Sequence, residues 1–325
     1  MKLEKIRKRI DTIDLELLGL IEERMGLALR SGKFKKEIRD PEREEQVYER
    51  ARRLSLNLVL PEFGEGVLRK VIEESRRLQG EGRQLVAFQG EHGAYSEIAS
   101  RRLVPDGAYV PCMEFSDVFQ GVDEGTFDLG VVPVENSLEG AVTQVNDLLT
   151  ETKLKVVGEV KVPLNHCLVA RDGTDYRDIR VVYSHPQALA QCRGFLSRNK
   201  LEPRPYYDTA GAARMLVREQ PRGAAAIASK LSAELYGLQI IKEGIDDGAS
   251  NSTRFLQLSC EAFKGEGDKC SIIFATTHEA GVLYGVLRLF AEAKINLTRI
   301  ASMPQRSDPD NTTFFLDFEG SERDE

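Results

Sequence analysis

The chain has 325 residues, 41% of them hydrophobic, enough for two or three cored domains and too many for a disordered polymer. Lys+Arg 45 against Asp+Glu 52 gives a net charge of -7, which excludes a broad electrostatic pull toward nucleic acid or an anionic membrane surface, so any anion must be caught by local charge. The charged opening MKLEKIRKRIDTID has no apolar run, and no segment approaches 18 uninterrupted apolar residues. Five scattered cysteines (112, 167, 192, 260, 270) form no C-x-x-C pair, so a cytoplasmic chain with reduced thiols is expected.

The first 80 or so residues carry a helical stripe. Leu3, Ile6, Ile10, Ile13, Leu17, Leu20, Arg24 and Leu27 alternate spacings of three and four, a heptad seam. A helix running on to about Lys35 would be roughly 50 Å long at 1.5 Å per residue, too long for a small domain to cover alone. A dimer built around it is expected. Asp40-Pro41, an N-cap residue followed by proline at the first helical position, starts a second helix with the stripe Arg43, Val47, Ala51, Leu54. A third runs from about Phe63 to Gln79 with the stripe Leu68, Ile72, Ser75, Gln79, and Gly80-Glu81-Gly82 reads as a linker.

From Leu85 to about Cys260 short apolar runs alternate with helical patterns: LVAFQ then YSEIASRRL, FDLGVVPV then AVTQVNDLL, IRVVYS then PQALAQCRGFL, GAAAIAS then KLSAELYGL. This predicts sheets flanked by helices, with LKVVGEVKVPLNHCLVA placed to cross between two α/β lobes and a cleft between them. The last part, KCSIIFATT, AGVLYGVLRLFAEAKI, NLTRIASMP and TTFFLDFEG, reads strand, helix, strand, strand.

Chemistry is suggested where polar residues occupy apolar stripes. Arg24 sits in the seam, Arg43 opens the second stripe, and Ser75 and Gln79 end the third; Lys35, eleven residues after Arg24, falls about 20° from it on a 3.6-residue helix. These residues either set register and snorkel or converge on an anion, since buried cations are disfavoured without one. Arg7 lies about 100° off that face, better placed to reach a partner chain.

The set Arg7, Asp14, Glu23-Arg24, Gly32-Lys33-Phe34-Lys35, Asp40-x-x-Arg43-Glu44, Glu74-Ser75 and Gln79 resembles the all-helical class of chorismate mutase across residues 1–80. The resemblance implies a three-helix domain in an intertwined homodimer. It also implies that Arg24 and the other subunit's Arg7 grip the substrate carboxylates, and that Lys35 and Gln79 hydrogen-bond the ether oxygen. Glu44, with groups near Asp40 and Arg43 and the Ser75 hydroxyl, would orient the rest. Such a rearrangement moves no proton, so conformer freezing and positive charge at the breaking C–O bond suffice.

In the central segment, Gly90-Glu91-His92-Gly93-Ala94-Tyr95-Ser96, Pro133 to Gly140, Ser184-His185-Pro186-Gln187 and Asp208-Thr209-Ala210-Gly211 each join a strand end to a helix start. Each is either an ordinary N-cap or part of a carboxylate site made of free N–H groups. A further polar run, Ser250-Asn251-Ser252-Thr253-Arg254, opens onto a strand. In this order GEHGAYSE, PVENSLEG, YSHPQ, DTAGAA and STRF resemble prephenate dehydratase, over a domain at residues 84–260. The resemblance puts the catalytic residue on Thr253, with Arg254 and Phe255 completing its signature, and substrate contacts on Asn136, Ser137, Ser184, His185 and Thr209.

Residues 268–325 resemble a partial ACT regulatory domain, a small α+β module whose dimerised copies bind phenylalanine. Its effector contacts would fall on Gly281, Leu283, Asn296, Leu297 and Ser302. The family's Glu-Ser-Arg-Pro is here Ala301-Ser302-Met303-Pro304, without its two charges, and a final helix and strand are missing. The region then serves phenylalanine control or dimerisation alone. Together these resemblances imply a cofactor-free and metal-free enzyme of phenylalanine biosynthesis that takes chorismate through prephenate to phenylpyruvate. The alternatives are a two-lobed small-anion binder or sensor without catalysis, or arogenate in place of prephenate.

Overall fold

Thirty-one residues with no internal proline form α1 (Lys2–Gly32). The computed structural model describes residues 2–54, 58–248, 251–265, 267–277, 279–304 and 311–320. Along α1 the apolar seam faces outward: Leu3 is 60% exposed and Leu20 62%, while Thr12 is buried and accepts a hydrogen bond from Gln220 Nε2 at 2.6 Å. The helix stops at Gly32, short of Lys35. The amides of Lys33, Phe34 and Lys35 bond back three residues, to the carbonyls of Arg30, Ser31 and Gly32, at 3.1, 3.2 and 3.3 Å. Ser31-Gly32 is a weak pair for continuing a helix. A Cβ on Gly32 would also lie 3.3 Å from the Gln79 amide nitrogen, so glycine allows α3 its close approach.

Helix α2 (Pro41–Arg53) starts as its sequence requires, with the Asp40 carboxylate accepting the Arg43 N–H at 3.0 Å and proline in the first turn. Helix α3 (Pro61–Gly80) buries Val71, Ile72 and Ser75 against the other two, and Gly82 takes a positive φ of 65° at the exit.

The first sheet is built from β1 (Leu85–Gln89), β2 (Ala108–Cys112), β3 (Leu129–Asn136), the short β4 (Gly140–Ala141) and β5 (Lys155–Pro163), with α4 (Tyr95–Leu103), α5 (Phe115–Asp123) and α6 (Thr143–Glu151) between them. The second has β6 (Cys167–Arg171), β7 (Val181–Ser184), β8 (Glu202–Pro205), β9 (Ala224–Ala228) and β10 (Leu238–Lys242), with α7 (Pro186–Gln191), α8 (Arg193–Arg198), α9 (Thr209–Glu219) and α10 (Lys230–Leu235). The chain then returns: β11 (Ser252–Ser259) inserts antiparallel between β3 and β5, giving the order β2-β1-β3-β11-β5 beside β10-β6-β9-β7-β8. The lobes are thus joined by two crossings, and these bond to each other through Leu164 N to Asn251 O (2.8 Å) and Ile245 N to His166 O (3.1 Å).

The helical segment packs on the first lobe. Leu29 joins that lobe's core, Arg30 lies 5.1 Å over the Phe127 ring, and Lys33 Nζ sits 2.6 Å from Asp128. The chain divides into two compact units: the three helices and the two lobes, apart from Lys155–Val157, make up the larger one, and Lys155–Val157 with Glu261 onward the smaller. Within the smaller unit β12 (Lys269–Thr277), α11 (Val282–Glu292), β13 (Leu297–Pro304) and β14 (Asn311–Glu319) follow the expected strand, helix, strand, strand order, as an antiparallel sheet β12-β14-β13.

Candidate functional site

Three helices and the turn after α1 enclose a cavity of about 380 Å³ lined by Arg24, Leu27, Ala28, Ser31, Lys35, Ile38, Asp40, Arg43, Glu44, Val47, Ile72, Ser75, Arg76 and Gln79. Of the eight residues expected in the helical site, all but Arg7 are here. Arg24 Nη1 donates to Ser75 Oγ at 2.8 Å, and Ser75 Oγ donates to Val71 O at 2.8 Å, so the guanidinium is aimed by a buried hydroxyl whose own proton is held by the backbone. The Gln79 amide nitrogen is anchored on Ala28 O. Lys35 arrives by the turn at Gly32 and not by helical spacing, a correction to the geometry expected of it.

Arg76 is a lining residue the stripes did not single out. Its Nη1 lies 3.3 Å from Glu44 Oε1, tying α3 to α2 across the cavity. Its only sequence signal is a position next to Ser75, since an arginine flanking a stripe otherwise reads as solvated. Cations outnumber carboxylates at the wall, a balance suited to an anion with two carboxylates.

A second polar cluster forms where β11 meets β3, with Thr253 paired to Asn136. Asn136 Oδ1 accepts the N–H groups of Leu138 (3.0 Å) and Glu139 (3.2 Å), which turns its Nδ2 toward Thr253 Oγ1 (3.0 Å) and Asn251 Oδ1 (2.8 Å). Ser137 Oγ accepts Ser252 N at 3.0 Å and Ser137 N donates to Ser252 O at 2.9 Å, so the strand start is clamped on both sides of Thr253. A hydroxyl has one proton and two lone pairs; the Thr253 oxygen takes a bond from Asn136, and its proton has no acceptor among the described residues. Thr253 can therefore donate to an incoming oxygen. Ser250, first in the polar run, lies outside the described residues.

Residues 86–262 match the family model of prephenate dehydratase, and residues 6–80 that of type II chorismate mutase. The first match covers more than half of the chain. The chain belongs to the prephenate dehydratase family. A bifunctional chorismate mutase/prephenate dehydratase of Aquifex aeolicus is 36% identical over 100% of this chain and 91% of its own length. Arogenate dehydratase/prephenate dehydratase 2 of Arabidopsis thaliana is 42% identical over 74% of this chain, which spans 66% of the plant protein. Among solved structures, GqqA, described as a novel type of quorum quenching acylase, matches with a TM-score of 0.68 at 37% identity over 74% of this chain and 89% of its own. The prephenate dehydratase of Arthrobacter aurescens in complex with L-Phe matches with a TM-score of 0.67 at 30% identity over 74% and 82%.

Two of the contacts expected from the dehydratase resemblance lie inside the protein in this structure. Ser184 is wholly buried with its hydroxyl donating to Ile227 O at 2.7 Å, and Phe255 is 2% exposed in the sheet core, because strand ends packed between helices offer their side chains to the interior. Arg254 pairs with Glu159 on β5, its Nε 2.8 Å from the carboxylate. His185 Nδ1 accepts the Gln187 N–H at 3.3 Å as the cap of α7, and Thr209 begins α9 behind Asp208, whose carboxylate caps Gly211 N at 2.7 Å and is pushed up by burial.

Sequence reading also missed the bridges that join the lobes of this dehydratase domain. Glu91 accepts Tyr207 Oη at 2.7 Å and Arg214 Nη1 at 2.8 Å, Tyr236 Oη donates to His92 O at 3.0 Å, and Ser232 Oγ donates to Gly93 O at 2.9 Å. Glu139 accepts both Gln187 and Gln191. Behind the first loop the buried Glu97 accepts Gly93 N at 2.7 Å and meets His92 Nδ1 at 3.3 Å and Arg101. Burial pushes Glu97 up, yet His92, the Gly93 N–H and Arg101 together hold it low; burial pushes His92 down, yet its bond to Glu97 leaves it raised.

The raised His92 contributes stability that is whole below the ordinary histidine pKa and lost as pH climbs through its folded value. The depressed Glu97 contributes stability that is whole above the ordinary carboxylate range and lost as pH falls through its folded value. Urea unfolding followed from pH 4 to 8 is therefore expected to show this contribution at its greatest at about pH 5–6. Glu97→Ala, which strands the buried Gly93 N–H, is expected to lower stability by about 1–3 kcal/mol and remove that dependence.

In the smaller unit Gly281, with φ 90°, precedes α11 and Asn296 follows it. The two groups of expected effector contacts, Gly281 with Leu283 and Asn296 with Leu297, thus stand at opposite ends of an 11-residue helix, about 16 Å apart, and Ser302 lies further along β13. One copy of the unit does not bring them together.

Proposed function

We propose that this chain makes phenylpyruvate from chorismate in two steps, as a chorismate mutase and a prephenate dehydratase. The observation that carries the reading is the cavity into which Arg24, Lys35, Arg43, Glu44, Ser75 and Gln79 converge, in a chain that also holds Thr253, whose proton has no acceptor among the described residues. In the cavity, arginines hold the two carboxylates in the folded conformer, and Lys35 with Gln79 meets the ether oxygen as the C–O bond breaks; no proton moves. In the central domain the ring carboxylate leaves as CO2, its bonding pair aromatises the ring and expels the 4-hydroxyl, and that oxygen takes up one proton to leave as water. Thr253 is too weak an acid to give its proton in advance. Its hydrogen bond stabilises the charge gathering on the departing oxygen, and water completes the transfer.

A second copy completes the mutase. The outward-facing seam of Leu3, Ile6, Ile10, Leu17 and Leu20 supports an intertwined homodimer, in which Arg7 reaches the partner's cavity. Reading the smaller unit as a partial ACT-like module, the sets at the two ends of α11 meet only across two copies. The Arthrobacter relative's complex with L-Phe supports phenylalanine as the ligand tested there. Cytoplasmic location belongs to the same reading; among the described residues no helix is long and apolar enough to cross a membrane.

The test follows chorismate absorbance and then phenylpyruvate with the purified chain. Loss of chorismate, followed by release of phenylpyruvate, is expected. Absence of both turnovers would leave a small-anion binder. Added arogenate yielding phenylalanine faster than prephenate yields phenylpyruvate would move the second step to the amino substrate, the alternative that the Arabidopsis relative's double name keeps in view.

A further inference from the structure

The pairing around Asn136 has an outcome for Asn251 that no sequence motif discloses. Asn136 Oδ1 must be the acceptor end of its amide, since two backbone N–H groups converge on it at 3.0 and 3.2 Å. Its Nδ2 then faces Asn251, so Asn251 is obliged to answer with Oδ1, at 2.8 Å. That leaves Asn251 Nδ2 as a donor; it is buried in a side chain only 5% exposed, and it has no hydrogen-bond partner among the described residues. A buried amide donor without a partner is costly to keep, so its retention calls for an acceptor that comes and goes.

Two residues on, Thr253 meets the same Asn136 Nδ2 at 3.0 Å and keeps a proton that no described residue accepts. Both donors result from one cause: Asn136 occupies the acceptor atoms of its two neighbours and so turns their protons elsewhere. Resting on the dehydratase reading above, we propose that Asn251 is a second catalytic donor. Its Nδ2 hydrogen-bonds the oxygen that gathers charge as the ring C–O bond breaks, beside the Thr253 hydroxyl. Two fixed donors on one developing oxyanion, aligned before the reaction begins, are an oxyanion hole in function.

The test uses the full chain, with prephenate turnover as the readout and its chorismate mutase activity as the measure of folding. Asn251→Asp keeps an oxygen for Asn136 Nδ2 and so keeps the packing, but replaces the donor by an acceptor. It is expected to lose about 10²-fold in dehydratase kcat near neutral pH, with KM little changed and mutase activity intact. The loss is expected to shrink as pH is lowered toward 5, because the neutral carboxyl again offers a proton, whereas Asn251→Ala stays low throughout. Wild-type kcat for Asn251→Asp across that range, or a loss confined to KM, would overturn the assignment. If the alanine variant does not fold, the aspartate pH profile alone decides. Failure of the wild-type chain to turn over prephenate would instead overturn the dehydratase reading, so the two failures are distinguishable.

Discussion

Thr253→Ala is expected to stop phenylpyruvate formation while prephenate still forms from chorismate at the wild-type rate. Removing one fixed donor from a developing oxyanion costs about 10²–10³ in kcat. The loss here belongs in kcat, because the hydroxyl does little until the C–O bond begins to break. The substitution is mild for the fold. Thr253 is mostly buried, but Asn136 Nδ2 retains Asn251 Oδ1 as an acceptor, and the register of β11 on β3 is held by backbone bonds and by the Ser137–Ser252 clamp. Thr253→Ser keeps the hydroxyl and its bond from Asn136, and is expected to retain most of the activity. Assay of both steps on one preparation checks this, because the mutase residues lie in a different part of the chain. Equal loss of both activities would mean damage to the fold, and full retention of dehydration would remove Thr253 from the chemistry.

The mirror experiment falls on the helices. Arg24→Ala is expected to lower mutase kcat/KM by about 10²–10³-fold, the effect of withdrawing one charge-assisted contact of about 3–4 kcal/mol from a bound carboxylate. Added prephenate should be dehydrated normally. Ser75, which aims Arg24, keeps its own bond to Val71 O, so the cavity wall survives the change. Arg7 supplies the decisive comparison, since it lies on the outward-facing part of α1 and outside the lining of its own cavity. In an intertwined dimer, Arg7→Ala alone is expected to be as defective as Arg24→Ala. Unfolding and refolding the two variants together would regenerate one intact site in each mixed dimer, about a quarter of wild-type mutase activity for random pairing. A mixture no more active than either parent would mean that the partner's Arg7 does not complete the site.

Much of the helical site was legible because local rules and burial agree there. Asp40-Pro41 dictates a helix start by itself, and polar residues in an apolar stripe can be counted from the sequence. Lys35 is instructive because it reached the cavity by a different route. Helical spacing carried it to the face of Arg24, whereas the chain leaves the helix at Gly32 and delivers Lys35 through a turn. Arg76 was passed over because an arginine beside a stripe is ordinarily solvated, and only the approach of α2 gives it Glu44.

The central lobes divide differently. Their alternation of strand and helix and the polar starts of their loops are local patterns, and Thr253 stands out in a run of polar residues. Ser184 and Phe255 stand in the same motifs yet lie inside, because a motif records residue types and not which side of a strand is covered. Glu91 with Tyr207 and Arg214, and Glu139 with Gln187 and Gln191, are separated by about 50–120 residues, and no periodicity links them.

The sequence by itself determined the order of the helical, two-lobed and terminal segments, the starts of their helices, and the residue types on which both chemistries depend, because these follow from periodicity and capping within a few residues. Tertiary structure alone decided which donors are left free. That turns on the return of β11 beside β3, a pairing across more than a hundred residues, which sets Asn136 between Asn251 and Thr253 and leaves both with protons that no described residue accepts. Hydrogen-bond capacity is counted over neighbours in space, and those neighbours exist only once the chain has crossed twice between its lobes.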